Sequence, residues 1–353
     1  MAQVGLPPEL ILRIVECVIP SSPPVAFPPR HVVTRTLLSF TLVCKLTSRV
    51  AKQLLMKHCL YIVYGDRLGE LLLHTGPLSI FRGQSRRPPS GVGLFLSPFP
   101  PRYLNSPCIA WQVHHLASII CGSLTRLVID MPLRELYPEH DVCQVRPVLR
   151  QAFARMTMLE EFCSVRDELY LSTIPRIQEP AIWSFWPRLK RLALYNVDID
   201  SSQFIEGLRQ CSNLTHLVLV RPDGLATELS AEQIGSAFLP ALQCLVIVVS
   251  MDAFLYSPLV NYQRWEESFV GRLHFLRNPV EEESRESDSE SGPWSMASYL
   301  SIRVPSEREI EECQQWLADQ ALSGKLWRIC EDQHNRQAMR SFRPANGRSG
   351  SSQ

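Results

Sequence analysis

The first sixty residues alternate apolar helical stretches with a proline-rich break. Residues 6–19 carry charge only at Glu9, Arg13 and Glu16, which fall on one narrow stripe of a helix at spacings of four and three. Because the rest of this short helix is apolar, it needs burial on two sides. Its own small domain covers one side; either a partner protein or the large C-terminal region covers the other.

A second apolar helical segment is predicted over 36–50, after a loop at 20–30 that holds five prolines. A third helical segment follows at 51–58 and runs into a strand-like stretch at 59–64. We therefore expect a small helical module at the N-terminus.

From residue 108 onward the chain repeats the pattern L-x-x-L-x-[LI]. The clear copies are Leu124-Leu127-Ile129, Leu189-Leu192-Leu194, Leu214-Leu217-Leu219 and Leu242-Leu245-Ile247, with weaker copies beginning at 159, 270 and 297. Successive copies begin 25 to 35 residues apart. This spacing is typical of an α/β repeat in which strands alternate with helices and neighbouring repeats stack.

The remaining segments divide the chain. Residues 76–107 hold seven prolines and predict a linker or an extended surface segment, and the acidic, serine-rich stretch 281–292 predicts a disordered insertion. Helices opened by serine caps are expected at 201–211, 230–240 and 306–322, and a disordered tail at 341–353. The predicted organisation is thus 1–73, a linker at 76–107, and a repeat region at 108–340.

The net charge and the cysteine content limit the classes of function and the compartment to be expected. With 36 Lys and Arg against 35 Asp and Glu, the net charge is +1, which argues against nucleic-acid or anionic-membrane binding. The eleven cysteines are odd in number and include no CxxC pair, so we expect buried free thiols in an intracellular, cytoplasmic or nuclear, compartment. We expect no secretion signal and no membrane span.

No motif for bond chemistry stands out. The chain lacks GxSxG, GxxxxGK[ST] and HExxH patterns, and the pairs His58-Cys59 and His114-His115 are interpreted as core and helix-surface residues. We therefore expect no catalytic residues, no cofactor and no metal site. A hydrolase assembled from distant residues is the least favoured alternative.

The N-terminal residues resemble an F-box, a three-helix module. The resemblance lies in Leu6-Pro7-x-Glu9-Leu10-Ile11-x-x-Ile14 and in an apolar helix that ends Leu42-Val43-Cys44-Lys45. The run at 51–73 resembles the sequence that follows the F-box in many fungal F-box proteins, and the later region resembles their irregular leucine-rich repeats, although it lacks the usual Asn after the strand.

This resemblance implies a substrate-recognition subunit of a Skp–cullin–F-box ubiquitin ligase, with a non-ligase F-box scaffold as the alternative. The implied partners are a Skp-family adaptor, through it a cullin ligase, and an unknown protein target. The expected adaptor-binding residues are Leu6, Pro7, Leu10, Ile14, Val18, Leu38, Leu42, Val43, Cys44 and Lys45. The alternative role for these residues is the core of the module itself.

The target is expected on the outward face of the repeat strands. Alternation along a strand directs the second Leu and the last residue inward and their neighbours outward. The outward residues of the three central strands are Arg191, Ala193, Tyr195, His216, Val218, Val220, Cys244, Val246 and Val248. Because most are apolar, they predict a target groove anchored by Tyr195, or else a face covered by the chain's own segment 76–107 or its C-terminal helix.

Overall fold

Eight strands form one open, parallel sheet whose strand order follows the chain. The computed structural model describes residues 7–75, 90–199, 201–224, 239–250, 297–302 and 308–329. The strands are β1 (Leu60–Val63), β2 (Val92–Ser97), β3 (Leu124–Ile129), β4 (Glu161–Ser164), β5 (Arg191–Tyr195), β6 (His216–Val220), β7 (Cys244–Ser250) and β8 (Ala297–Ile302). The sheet and its helices make a mixed α/β architecture.

Eight α-helices occur in the described ranges. They are α1 (Pro8–Glu16), α2 (Val32–Val43), α3 (Lys45–His58), α4 (Gly65–Thr75), α5 (Pro107–Ile120), α6 (Val145–Ala154), α7 (Ser202–Gln210) and α8 (Glu309–Leu322). Short 3₁₀ helices lie at Leu133–Glu135, Pro138–His140, Ile182–Phe185 and Leu326–Arg328.

The repeated leucines set the register of the sheet. The copies of the pattern that begin at 124, 159, 189, 214, 242 and 297 coincide with β3 to β8. On β3 to β7 their second positions pair across neighbouring strands in one row, which runs Leu127, Phe162, Leu192, Leu217 and Leu245 and continues through Leu94 on β2 and Leu60 on β1. On β8 the first position of the copy, Ala297, pairs with Leu245, and the second position, Leu300, pairs with Val248. A one-residue slip would turn this row to the opposite face, so the pattern specifies the pairing strongly.

The main core lies between this row and the helices that connect the strands. Trp183 and Trp186 are among its largest fully buried side chains, and the Trp186 indole donates a hydrogen bond to the Phe153 carbonyl at 3.0 Å. Ser201 caps α7 by accepting a hydrogen bond from the Phe204 amide at 3.2 Å, as the sequence predicts. The leucine row therefore faces the layer of helices that connect the strands.

Three sequence expectations need correction. Strand β2 lies inside the segment interpreted as a linker or extended segment at 76–107, and it is buried between β1 and β3. The second helix begins at Val32 and breaks at Cys44, so residues 45–50 belong to α3. Of the described cysteines, nine are free thiols, but only Cys163, Cys211 and Cys313 among them are buried as expected, and Cys244 is disulfide-bonded.

Several predicted segments lie outside the described residues. They are Leu6, the repeat copy beginning at 270, the acidic stretch 281–292, the start of the helix at 306 and the tail 341–353, together with most of the predicted helix 230–240.

Candidate protein-docking surfaces

Helices α1, α2 and α3 form a small unit with its own core. Both α1 and α2 pack against α3, and the buried side chains are Val15, Phe27, Val33, Leu37 and Ala51. A core of this size stabilises a compact module but does not hide every apolar residue of two helices.

Helix α1 buries one line of residues and exposes another. Val15 is fully buried, whereas Leu10 and Ile14 are each 51% exposed. The two exposed residues are four positions apart and therefore lie on one side of the helix. Arg13 and Glu16 form an exposed ion pair at 3.7 Å on the charged stripe that the sequence predicts.

Helix α2 ends abruptly on an exposed apolar tip. Leu38, Leu42 and Val43 are 50%, 86% and 67% exposed. At Cys44 the backbone becomes fully extended, and α3 begins at the next residue. Large apolar side chains with this degree of exposure mark an interaction site when they occur together.

Thr47 holds the junction between α2 and α3. Its hydroxyl donates to the Phe40 carbonyl at 2.9 Å and accepts from the Cys44 amide at 3.2 Å. Thr47 is almost completely buried. The bonds fix the angle between the helices and so keep the tip of α2 in place. The same hydroxyl lowers the pKa of the exposed Cys44 thiol by hydrogen bonding.

The structure exposes most of the residues predicted to bind the adaptor. The exposed set is Pro7, Leu10, Ile14, Leu38, Leu42, Val43, Cys44 and Lys45. Val18 is half-buried against the core of the three-helix unit, so the alternative core role applies to it.

The predicted target groove is wrong, because the chain itself covers that face. Ala193, Tyr195, Val218, Val220, Cys244, Val246 and Val248 are all buried at 3% exposure or less. We call the sheet surface that they form the second face. The buried side of α8, with Cys313, Leu317 and Ala321, packs on it together with Leu326 and Trp327. The alternative of a covering C-terminal helix is correct.

Polar contacts hold α8 at the rim of the second face. The Arg221 guanidinium contacts the Glu309 carboxylate at 2.9 Å and donates to the Tyr195 hydroxyl at 3.0 Å. Tyr195 is therefore an internal anchor for α8 and not an anchor for a target. Arg191 pairs with Glu161 at 2.5 Å, and His216 is half-buried beside Thr215.

The proline-rich loop at 20–30 also docks on the second face. Val25 and Ala26 are buried there, and the Val25 amide donates to the Leu322 carbonyl at the end of α8. Arg126 on β3 donates to the Pro23 carbonyl at 3.3 Å. Glycine is required at position 93 of β2, since a Cβ there would lie 2.0 Å from the Val25 carbonyl oxygen. The loop thus ties the three-helix unit to the sheet.

His58 and Cys59, which are adjacent in sequence, lie in settings that do not activate the thiol. Burial raises the pKa of the Cys59 thiol, which receives a hydrogen bond from Thr34, and burial lowers the pKa of His58 to about 4. A reactive cysteine needs the opposite shift of its thiol pKa. His115 is exposed on α5, and the described ranges contain no group of three residues suited to hold a metal ion.

Comparison with known proteins finds no matching family profile and no similar curated protein. Within the described residues, no helix is both long and apolar enough to cross a membrane.

Proposed function

We propose that this chain is the substrate-recognition subunit of a Skp–cullin–F-box type ubiquitin ligase. The observation that carries the proposal is the exposure of apolar side chains on α1 and α2, at the positions where the F-box resemblance puts the adaptor contacts. None of these side chains belongs to the cores formed by the described part of the chain.

An apolar protein surface is the partner that suits this arrangement. Each large aliphatic side chain that moves from water into an interface contributes roughly 1.5–3 kcal/mol. Leu10, Ile14, Leu38, Leu42 and Val43 are carried by helices that a shared core already orders. The partner therefore binds a preformed surface and does not have to order it, which favours affinity.

In this proposal the sheet is an irregular leucine-rich-repeat solenoid that holds the target. Its strand order and its single row of apolar residues support that interpretation. The chain then acts by proximity: it holds a target lysine near a ubiquitin-loaded enzyme, so that transfer becomes effectively intramolecular.

Replacing both Leu10 and Ile14 by Asp tests the adaptor contact. Two unpaired charges in a dry interface are costly, so binding to a purified Skp-family adaptor should weaken by at least about 100-fold. The matched control is Leu73→Asp with Val142→Asp, which changes two side chains that are 84% and 87% exposed outside the three-helix unit. Wild-type adaptor affinity in the L10D/I14D variant would refute the assignment.

A non-ligase scaffold is the second candidate, and it shares the same exposed helices. Co-purification separates the two functions, because a ligase subunit brings a cullin with the adaptor and a scaffold does not. The cullin should disappear from the L10D/I14D sample and remain in the control sample.

A further inference from the structure

Because α8 and the proline-rich loop cover the second face, a target needs another surface. A cavity of about 410 Å³ opens between α7 and residues 178–184, within the size range of ligand pockets. Its lining includes Gln178, Ser184, Ile205 and Gly207. We refer to it as the α7 cavity.

Part of the lining of the α7 cavity, which we call its base, is formed by Ile205 and Gly207. Both residues are buried in the described fold. Gly207 allows α7 to pack closely on Trp183, because a Cβ at that position would lie 2.6 Å from the indole. Trp183 in turn meets Phe204 edge to face with ring centroids 6.0 Å apart. The base can therefore receive an apolar side chain without rearranging.

Side-chain amides line the walls and keep hydrogen-bonding capacity. The Ser202 hydroxyl donates to the Gln178 amide oxygen at 2.7 Å, which leaves the Gln178 NH₂ group as a donor. The Gln203 NH₂ group donates to the Glu179 carbonyl, which leaves the Gln203 amide oxygen as an acceptor. Gln178 and Gln203 therefore offer a donor and an acceptor on the lining of one cavity, the two kinds of group that pair with a peptide main chain.

The charges around the cavity are compensated. Glu206 pairs with Arg209 at 3.1 Å, and Glu179 lies 3.5 Å from the Arg150 guanidinium. This balance disfavours a phosphate-bearing or strongly charged ligand. Neutral hydrogen-bonding groups and an apolar base remain as the means of recognition.

Exposed apolar side chains flank the lining segment along the chain. Ile174, Ile177 and Phe185 are 47%, 55% and 44% exposed, and they stand on either side of residues 178–184 in sequence. Peptide recognition sites combine pockets that hold alternate side chains with exposed apolar residues, and this segment of the chain carries both.

We propose that the α7 cavity binds an extended, neutral peptide segment of a target protein. The peptide main chain pairs with the amides of Gln178 and Gln203, and one apolar side chain enters against Ile205 and Gly207. This inference rests on the proposed function only in assuming that the peptide belongs to a target protein. The peptide site itself does not need the adaptor.

The test is a phage-displayed library of random 12-residue peptides panned on the full chain. Enriched peptides are synthesised with a fluorophore, and their affinity is measured by anisotropy. Ser202→Trp fills the cavity from the exposed start of α7, and the matched control Ser118→Trp changes an exposed serine on α5. Both variants should keep the wild-type unfolding midpoint.

We expect the enriched peptides to share an apolar residue. Their affinity for S202W should be at least tenfold lower than for the wild type, whereas their affinity for S118W should equal that for the wild type. The double variant Gln178→Ala with Gln203→Ala should also weaken binding, which a blocked entrance alone would not explain. Equal affinity for S202W and S118W, or no enrichment over a panning on S202W, overturns the proposal. Adaptor affinity measured on S202W should stay unchanged, so failure of the peptide site and failure of the adaptor contact remain distinguishable.

Discussion

Arg146 illustrates how a buried charge can serve the fold when four of its five N–H donors are hydrogen-bonded. Its side chain is fully buried, and its guanidinium donates to the carbonyl groups of Leu133, Leu136, Tyr170 and Ser172. These carbonyls belong to loops that follow β3 and β4. One side chain therefore supplies hydrogen-bond donors to backbone carbonyl groups of two segments that lie outside the β-sheet.

Replacing Arg146 by Met should be strongly destabilising. The substitution keeps an apolar stem but leaves several buried carbonyls without donors, and each such loss costs about 1–3 kcal/mol. We expect the free energy of unfolding in urea to fall by at least about 3 kcal/mol. The control is Arg67→Met, which removes an exposed ion pair with Glu70 and should cost less than about 1 kcal/mol. Similar losses in the two variants would contradict this account of Arg146.

His58 should make stability sensitive to mild acid. It is buried, its Nδ1 has no hydrogen-bond partner among the described residues, and its pKa is lowered from 6.5 to about 4 by burial and by the charges of Lys57 and Arg126. Between these two pKa values the unfolded chain binds a proton that the folded chain does not. The contribution of this group to stability is therefore fully present above pH 6.5 and declines as the pH falls toward 4.

The measurement is urea unfolding at pH 7 and at pH 5 for the wild type and for His58→Leu. The variant should lose less stability between the two pH values than the wild type does. His115→Leu, which removes an exposed histidine on α5, should leave the wild-type pH dependence in place. Parallel pH profiles for wild type and H58L would show that His58 is not the responsible group.

At the scale of elements, Thr47 carries the turn between α2 and α3. Thr47→Val keeps the shape of the side chain but removes the bonds to the Phe40 carbonyl and the Cys44 amide, at an expected cost of about 1–2 kcal/mol. Thr47→Ser keeps the hydroxyl and should stay closer to the wild type. Thermal unfolding of the two variants compares them directly, and a serine variant as unstable as the valine variant would point to packing instead.

The pattern of the sequence predicts elements that repeat, and it misses those that break the repeat. Strands β3 to β7 follow from their leucines because one buried row requires the same spacing in every copy, whereas on β8 Leu300 pairs with Val248 instead of with the row. Strand β2 retains Leu94 and Leu96 of the pattern, but Gly91 replaces its first leucine and prolines surround it. That shared pair of positions was the signal that could have identified it.

The candidate sites were predictable only in part, because a sequence shows which residues point outward but not what covers them. The F-box resemblance marks Leu38, Leu42 and Val43 as adaptor contacts, and the structure exposes these three side chains. The cover over Tyr195 and Val218 depends on α8, which lies about a hundred residues further along the chain. The α7 cavity depends on close packing at Gly207, for which periodicity provides no signal.

At the scale of the whole molecule, the second face is where distant parts of the chain meet. The proline-rich loop from the three-helix unit, the strands β2 and β3, and the end of α8 contact one another there. Arg328, just past α8, also donates to the Ser22 hydroxyl at 2.7 Å. The orientation of the exposed α1–α2 surface relative to the sheet therefore depends on this junction.

Gly93→Ala tests the junction with a single methyl group. The added Cβ would lie 2.0 Å from the Val25 carbonyl oxygen, so the proline-rich loop must shift away from β2. We expect a loss of about 1–3 kcal/mol in unfolding free energy, as for overpacked interiors. Hydrogen exchange at the Val25 amide, which donates to Leu322, should accelerate by at least tenfold.

The matched control is Gly122→Ala, because nothing lies within 4 Å of a Cβ at that position. G122A should retain the exchange rate of the Val25 amide and lose little stability. If G93A matches G122A in both measurements, the loop does not press on β2 as the short contact implies, and the account of this junction is wrong. If exchange accelerates at the Val25 amide while the Val15 amide stays protected, the proline-rich loop has detached from the sheet and the three-helix unit has remained folded. The junction can then open independently of the unit that it connects to the sheet.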